Sequence, residues 1–209
     1  MSLAENQVYF SRARVIPVLT PKSAESGLAV SRLLFEAGLW MQEITLRTES
    51  GLETVAALKR ELPELVVGVG SVLTKQLGQA AIRAGANFLV SPGVTEELLQ
   101  FAATCSVPFL PGVATVSEIM RVQALGCTAA KLFPAQLLGG VAFLRSLSGP
   151  VPTMKFCPTG GIDAQLAPSY LQLNNLLAVG GSWMAPDDLV AQGRWAEIRH
   201  LAEQAAALR

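Results

Sequence analysis

Lys131 closes a run of strand-forming residues in the segment Cys127-Thr-Ala-Ala-Lys-Leu-Phe-Pro-Ala135. Lysine is among the residues least often found in apolar surroundings. A low dielectric disfavours the ammonium form, and a lysine that gives up its proton is an amine able to attack a ketone and form a Schiff base. The plainer alternative is a buried stem whose head reaches water at the strand end. Pro134 cannot continue a central strand, so Lys131 stands near the strand's C-terminal end. Phe133 shares its face, and Leu132 points the other way. Lys155 is the rival lysine in an apolar run. It stands four residues before Thr159, so it is expected deeper or facing helices.

A second set lies in Trp40-Met-Gln-Glu-Ile-Thr-Leu-Arg-Thr48. The strand period of two puts Met41, Glu43, Thr45 and Arg47 on one face, with Ile44 and Leu46 on the other. A glutamate and an arginine facing the interior of a closed sheet are costly unless paired or used. One reading is a structural ion pair. The other makes Arg47 a carboxylate clamp near the strand's end and Glu43, one layer deeper, a proton-shuttling carboxyl group.

Two glycine pairs, Pro158-Thr-Gly-Gly-Ile162 and Val179-Gly-Gly-Ser-Trp183, follow the last two strand-like runs. Glycine lets backbone N–H groups approach anionic oxygens, and Thr159 and Ser182 add hydroxyls. Ordinary tight turns are the alternative. Ser71 and Ser91 each end a strand-like run and either orient a ligand or cap the next helix. Ser91 reads rather as turn chemistry.

These residues need a scaffold. Strands are expected at Arg14–Thr20, Trp40–Arg47, Leu65–Gly70, Asn87–Ser91, Val107–Pro111, Cys127–Phe133, Thr153–Cys157 and Asn175–Val179. Helices are expected at Ser23–Ala37, Gly51–Glu61, Lys75–Ala84, Thr95–Thr104, Thr115–Leu125, Gly140–Leu147, Asp163–Leu173 and Arg194–Leu208. Three of these helices close on the recurring junctions Glu36-Ala-Gly38, Arg83-Ala-Gly85 and Ala124-Leu-Gly126, where a left-handed glycine ends the helix. Eight nearly continuous apolar strands, each followed by a helix, predict an all-parallel sheet. A single (β/α)8 TIM barrel over residues 1–209 fits this pattern, near the short end of that fold's range. A doubly wound open sheet is the alternative, but no glycine-rich fingerprint follows the first strand.

Composition narrows the chemistry. Of 209 residues, 51 % are hydrophobic and 15 % charged, and the formal net charge is zero. A nucleic-acid-binding surface is therefore not expected. No apolar run reaches the roughly 18 residues of a membrane span, and residues 1–14 carry no signal-peptide core, which predicts a cytoplasmic protein. Cys105, Cys127 and Cys157 sit in apolar contexts without metal-ligand spacing and read as reduced core residues. His200 is the single histidine, so a multi-histidine metal site is excluded and a histidine triad would have to use it. Acid–base work falls to a glutamate, lysine, tyrosine or water.

Taken together the chain resembles the bacterial class I aldolases that act on 2-keto-3-deoxy-6-phosphogluconate and 4-hydroxy-2-oxoglutarate. The matching motifs are Glu43-Ile-Thr-Leu-Arg-Thr-Glu49, Gly68-Val-Gly-Ser-Val-Leu73, Ser91-Pro-Gly93, Pro111-Gly112, Lys131-Leu-Phe-Pro-Ala135, Phe156-Cys-Pro-Thr-Gly-Gly-Ile162 and Gly180-Gly-Ser-Trp183. They occur in order across essentially the whole chain. The resemblance implies that Lys131 forms the Schiff base with a 2-oxo acid and Glu43 is the general acid/base. It implies that Arg47 and Ser71 hold the pyruvyl carboxylate, with Pro92 and Phe133 also against the substrate. Thr159, Gly160, Gly161 and Ser182 would line the phosphate end. It further implies a homotrimer of TIM barrels with no cofactor and no metal. Ser71 stands where many members have threonine, and Gln136 where some have glutamate. Two other readings use the same residues: a metal-independent sugar-phosphate isomerase with Glu43 as base, and a non-catalytic phosphate-sugar binding protein.

Overall fold

The computed structural model describes residues 6–208. The expected absence of a leader rests partly on residues 1–5, outside that range. No helix among the described residues is long and apolar enough to cross a membrane.

A short helix α1 (Asn6–Phe10) precedes β1 (Val15–Leu19). There follow α2 (Ala24–Glu36), β2 (Met41–Thr45), α3 (Gly51–Glu61), β3 (Val66–Gly70), α4 (Lys75–Arg83), β4 (Phe88–Val90) and α5 (Glu96–Thr104). The second half holds β5 (Phe109–Leu110), β6 (Gly112–Val113), α6 (Val116–Ala124), β7 (Ala129–Leu132), α7 (Gly140–Leu147) and β8 (Lys155–Pro158). It ends with α8 (Ala167–Leu171), β9 (Val179–Gly181), α9 (Asp187–Ala191) and α10 (Trp195–Ala206).

The strands pair in parallel in the order β5-β4-β3-β2-β1-β9 and β6-β7-β8. Bridges Phe156↔Leu176 and Thr159↔Gly180 carry the ladder from β8 to the β9 segment. β5 and β6 are the two halves of one barrel strand, parted at Pro111. Proline has no N–H to give, so the ladder changes sides there: β5 pairs with β4 and β6 with β7. With that strand counted once, eight strands close the (β/α)8 barrel, and the open-sheet alternative falls away.

The packing follows from alternation. Val67 and Val69 of β3 belong to the core between strands and helices, whereas Gly68 and Gly70 face inward. The barrel interior is a separate cluster that includes Phe10, Ile16, Met41, Phe88, Val90, Leu110, Ala129 and Cys157. Phe10 of α1 packs edge-on against Phe88 at 5.2 Å between ring centroids and closes one end. Asn6 Nδ2 donates to the Phe109 carbonyl at 2.6 Å and ties α1 to β5.

Several expectations are corrected. Neither Ser71 nor Ser91 caps a helix, because Thr74 and Thr95 do so, each accepting from a backbone N–H of the first turn. Ser91 Oγ instead accepts from Gly112 N at 3.2 Å, stapling the end of β4 to β6. The helix expected at Asp163–Leu173 is regular only over Ala167–Leu171; Asp163 Oδ1 accepts from Gln165 N and Leu166 N in a turn before it. The last strand is Val179–Gly181 rather than Asn175–Val179. Two short helices, α1 and α9, and a 3-10 turn at Gln136–Leu138 lie outside the expected elements.

Candidate active site

Lys131 and Glu43 meet in the barrel interior. Lys131 Nζ lies 3.0 Å from Glu43 Oε1 and 3.3 Å from Oε2, and the two side chains are only 4 % and 6 % exposed. Their strands, β7 and β2, are not neighbours in the ladder, so the pair spans the barrel. A buried pair of this kind survives only with good geometry, because removing one partner strands the other charge. Gly70 makes the room: a Cβ there would overlap Glu43 Oε1. Lys131 N donates to the Pro111 carbonyl at 2.8 Å, so the break between β5 and β6 faces the lysine.

Cys157 stands in register beside Lys131 on β8. Burial pushes its thiol up to about 12, so beside the lysine it is a neutral S–H rather than a competing nucleophile. The Lys131 charge opposes that shift and the Glu43 carboxylate adds to it. Lys131 Nζ sits 5.7 Å from the centroid of the Phe133 ring, as their shared face requires. Lys155 turns away, its Nζ donating to the Asn174 carbonyl.

A cavity of about 650 Å³ is bordered by Arg47, Phe133, Thr159, Gly160, Gly161 and Ser182 among others; Lys131, Glu43 and Ser71 are not in its wall, and the Phe133 ring is what links it to the lysine. Arg47 Nε donates to Ser71 Oγ at 3.2 Å. Ser71 is the one non-glycine residue with positive φ, +60°, among those described. Such a backbone costs about 1–3 kcal/mol and clusters at functional sites. Pro92 is outside the cavity wall; its carbonyl abuts Gly112, which pairs with Lys131.

The two glycine pairs differ. Gly160 and Gly161 form a left-handed turn after β8, with φ of +101° and +74°. The Thr159↔Gly180 bridge turns the Gly160 N–H towards β9, and among the described residues no backbone carbonyl accepts from the Gly161 N–H. An N–H left open in such a left-handed turn suits an anion. Gly180 and Gly181 lie within β9, not in a loop after it. They permit close packing: a Cβ on Gly180 would overlap Thr159 Oγ1, and one on Gly181 the Trp183 ring. Thr159 Oγ1 is buried without a partner of hydrogen-bond geometry, though it lies close enough to the Cys157 sulfur to favour the thiolate.

Sequence reasoning missed Lys22 and Asp187, which border the same cavity, and Gly70. Lys22 follows the C-terminal end of β1, where barrel enzymes place functional groups, so position alone would have flagged it. The alternation Val67-Gly-Val-Gly70 is the matching signal for Gly70. Asp187 has none. No group of three His, Cys, Asp or Glu side chains among the described residues is placed to hold a metal ion.

A lysine pressed against a carboxylate inside a TIM barrel, next to the Phe133 wall of an arginine-bordered cavity, is the equipment of a Schiff-base lyase. Comparison with known proteins agrees. A family profile described as "Aldolase: KDPG and KHG aldolase" matches residues 7–201. The chain is 45 % identical over 193 residues to the 2-dehydro-3-deoxy-phosphogluconate aldolase of Pseudomonas aeruginosa, covering 92 % of this chain and 88 % of that one. It is 40 % identical over 191 residues to the KHG/KDPG aldolase of Escherichia coli K12, covering 91 % and 90 %. The Legionella pneumophila KDPG aldolase, solved with pyruvate captured as a covalent carbinolamine, superposes with a TM-score of 0.92 at 37 % identity over 95 % of this chain and 96 % of that one. The chain belongs to the KDPG and KHG aldolase family and is a carbon–carbon lyase of the Schiff-base type. The isomerase and the non-catalytic readings are thereby set aside.

Proposed function

We propose that this chain cleaves 2-dehydro-3-deoxy-6-phosphogluconate to pyruvate and glyceraldehyde 3-phosphate, and 4-hydroxy-2-oxoglutarate to pyruvate and glyoxylate, with Lys131 as the imine-forming residue. The observation that carries the assignment is the buried 3.0 Å contact of Lys131 Nζ with Glu43. That contact is short enough to pass a proton directly. Moving one proton from the ammonium to the carboxylate leaves a neutral amine and a carboxylic acid. The amine attacks C2 of the 2-oxo acid, and the acid protonates the departing hydroxyl as water leaves. Glu43, again a carboxylate, takes the C4 hydroxyl proton. The C3–C4 bond breaks, its electrons pass into the iminium to give an enamine, and the aldehyde departs. Glu43 returns the proton to C3, and water releases pyruvate and the free lysine.

Arg47, braced by Ser71, holds the substrate carboxylate, a bidentate match to guanidinium. Phe133 packs against the pyruvyl group, and Pro92 acts from behind the wall by fixing Gly112, the neighbour of Lys131. Thr159, Gly160, Gly161 and Ser182 receive the distal phosphate, and Lys22, bordering the same cavity, supplies a cation there. The chain works as one domain spanning residues 1–209, in the cytoplasm, as a homotrimer. In support, Leu73, Met120 and Leu137 leave apolar surface exposed, which monomers usually limit. Analytical ultracentrifugation tests the trimer.

The catalytic assignment is tested by reducing the protein with borohydride in the presence of pyruvate and mapping the product by peptide mass. One adduct on Lys131 is expected. An adduct on Lys155, or none, overturns it.

A further inference from the structure

Gln136 is used by none of the chemistry above, yet its contacts run to the distal end of the cavity. It opens the 3-10 turn that follows Lys131-Leu-Phe-Pro-Ala135. Its N–H donates to the Gly160 carbonyl at 3.1 Å, beside Ala135 N to the Thr159 carbonyl at 2.8 Å. A Cβ on Gly161 would lie 2.9 Å from Gln136 Cβ and 3.2 Å from Cγ, so the stem rests directly against the glycine turn. The head is fixed as well: Tyr170 OH donates to Gln136 Oε1 at 2.7 Å. Tyr170 is fully buried, and burial raises its hydroxyl above the ordinary value, which keeps it an O–H donor. Gly140 leaves the passage for this bond, since a Cβ there would overlap Gln136 Oε1.

The turn so braced is one that glycine alone would not hold. Two consecutive glycines reach many backbone conformations, and fixing them is entropically costly. A ligand that must order the turn itself binds more weakly than one meeting it already formed. We propose that Gln136 is a positioning residue for the distal phosphate: locked by Tyr170, it holds Gly160 and Gly161 in the left-handed turn that borders the cavity. The inference rests on the reading that this turn takes the phosphate.

The test compares Gln136→Ala, Gln136→Glu and Tyr170→Phe with the parent chain, all as full-length protein. Steady-state kinetics on the phosphorylated 2-oxo acid reads the distal end. Exchange of the pyruvate methyl protons with deuterium reads Lys131, Glu43 and Arg47 alone, because pyruvate has no distal group. Gln136→Ala should raise KM for the phosphorylated substrate about tenfold, the effect of a lost preorganised contact, with pyruvate exchange within about twofold of the parent. Gln136→Glu keeps the stem length and an acceptor for Tyr170 and should return KM to within about threefold. Tyr170→Phe should shift KM in the same direction as Gln136→Ala. An unchanged KM in Gln136→Ala overturns the proposal. So does a parallel fall of KM performance, pyruvate exchange and melting temperature, which marks general structural damage. Ser182→Ala and competition by inorganic phosphate separate the two layers. If these report on phosphate while Gln136→Ala does not, the positioning role fails and the phosphate reading stands. If inorganic phosphate does not compete and no variant discriminates, the phosphate reading fails and the proposal falls with it.

Discussion

The two ends of the cavity are built on different principles. The proposed pyruvyl end is built from charged side chains on strands: Glu43 on β2 and Lys131 on β7 meet across the barrel, almost wholly out of water. The proposed distal end is built from backbone on loops: the left-handed Gly160–Gly161 turn borders it, and Ser182 is exposed. Strand-borne groups are fixed by the ladder and by packing on every side, which suits atoms that must exchange a proton over 3.0 Å. A loop needs a separate brace, and in exchange it adapts to phosphate or carboxylate. On the proposed function, chemistry sits where the fold is rigid and substrate choice where it is adjustable.

If that division is right, damage at the pyruvyl end should abolish turnover with every substrate, whereas damage at the distal end should discriminate among them. The largest effect is expected for Glu43→Gln. Removing a positioned acid/base costs about 10²–10⁴ in rate, while the amide keeps the shape and lets imine form slowly. Rapid-quench trapping with borohydride separates imine formation from cleavage. A variant within about threefold of the parent would make Glu43 an ion-pair partner only. The same substitution leaves the Lys131 ammonium buried without its carboxylate, so a loss of about 3–5 kcal/mol in chemical unfolding should accompany it.

Gly70→Ala attacks the same end without removing a reacting group. Its Cβ would overlap Glu43 Oε1, so the carboxylate must move. Overpacking of this kind typically costs about 1–3 kcal/mol in stability. Loss of alignment should cut kcat about 10²-fold for phosphorylated and non-phosphorylated substrates alike. An effect confined to the phosphorylated substrate would contradict the division between the ends.

Ser182→Ala probes the other end. Losing one hydrogen bond to a charged group costs about 1.5–3 kcal/mol, or roughly ten- to hundredfold in kcat/KM. The loss should be smaller for 4-hydroxy-2-oxoglutarate. The ratio of kcat/KM for the two substrates decides the matter, and a ratio that does not move takes Ser182 out of phosphate binding.

The smallest effect concerns Cys157. Its thiol is raised from 9.0 to about 12 in the folded protein, so the folded state holds the proton more tightly. The stability this contributes is complete below pH 9 and is lost as pH rises from 9 towards 12. Alkylation of the native protein at pH 8 should accordingly label half-buried Cys105 first and Cys157 last. Early labelling of Cys157 would show that the barrel interior opens to solvent at the lysine.

Much of the scaffold was legible along the chain. The apolar strand runs, the period of two in Met41–Arg47 and the three helix-closing glycines at 38, 85 and 126, all left-handed, were enough to give the barrel. Helices α3 and α7 begin and end where their periodicity said. What failed did so where local pattern is ambiguous. The last strand begins at Val179 because pairing with Val15–Pro17 of β1 sets its register, a contact invisible in residues 175–181. α1 is one turn and a half, too short to have a period, and exists because its Phe10 fills the end of the barrel.

The site divides the same way. Residue types and spacing singled out Lys131, Glu43 and Arg47; Lys131 and Glu43 sit on strands facing the interior as the period of two requires, whereas Arg47 lies beyond the end of β2 and is exposed. Only the tertiary structure decided their partners. Lys131 took Glu43 rather than water, since β2 and β7, 88 residues apart, face each other across a closed barrel. Arg47 took Ser71 instead of Glu43, which removes the Glu43–Arg47 pair as a structural device. Gln136 met Tyr170 across 34 residues because the loop after β7 and helix α8 pack together behind the glycine turn. Spacing fixes which face of an element a residue occupies; closure of the barrel fixes what stands opposite.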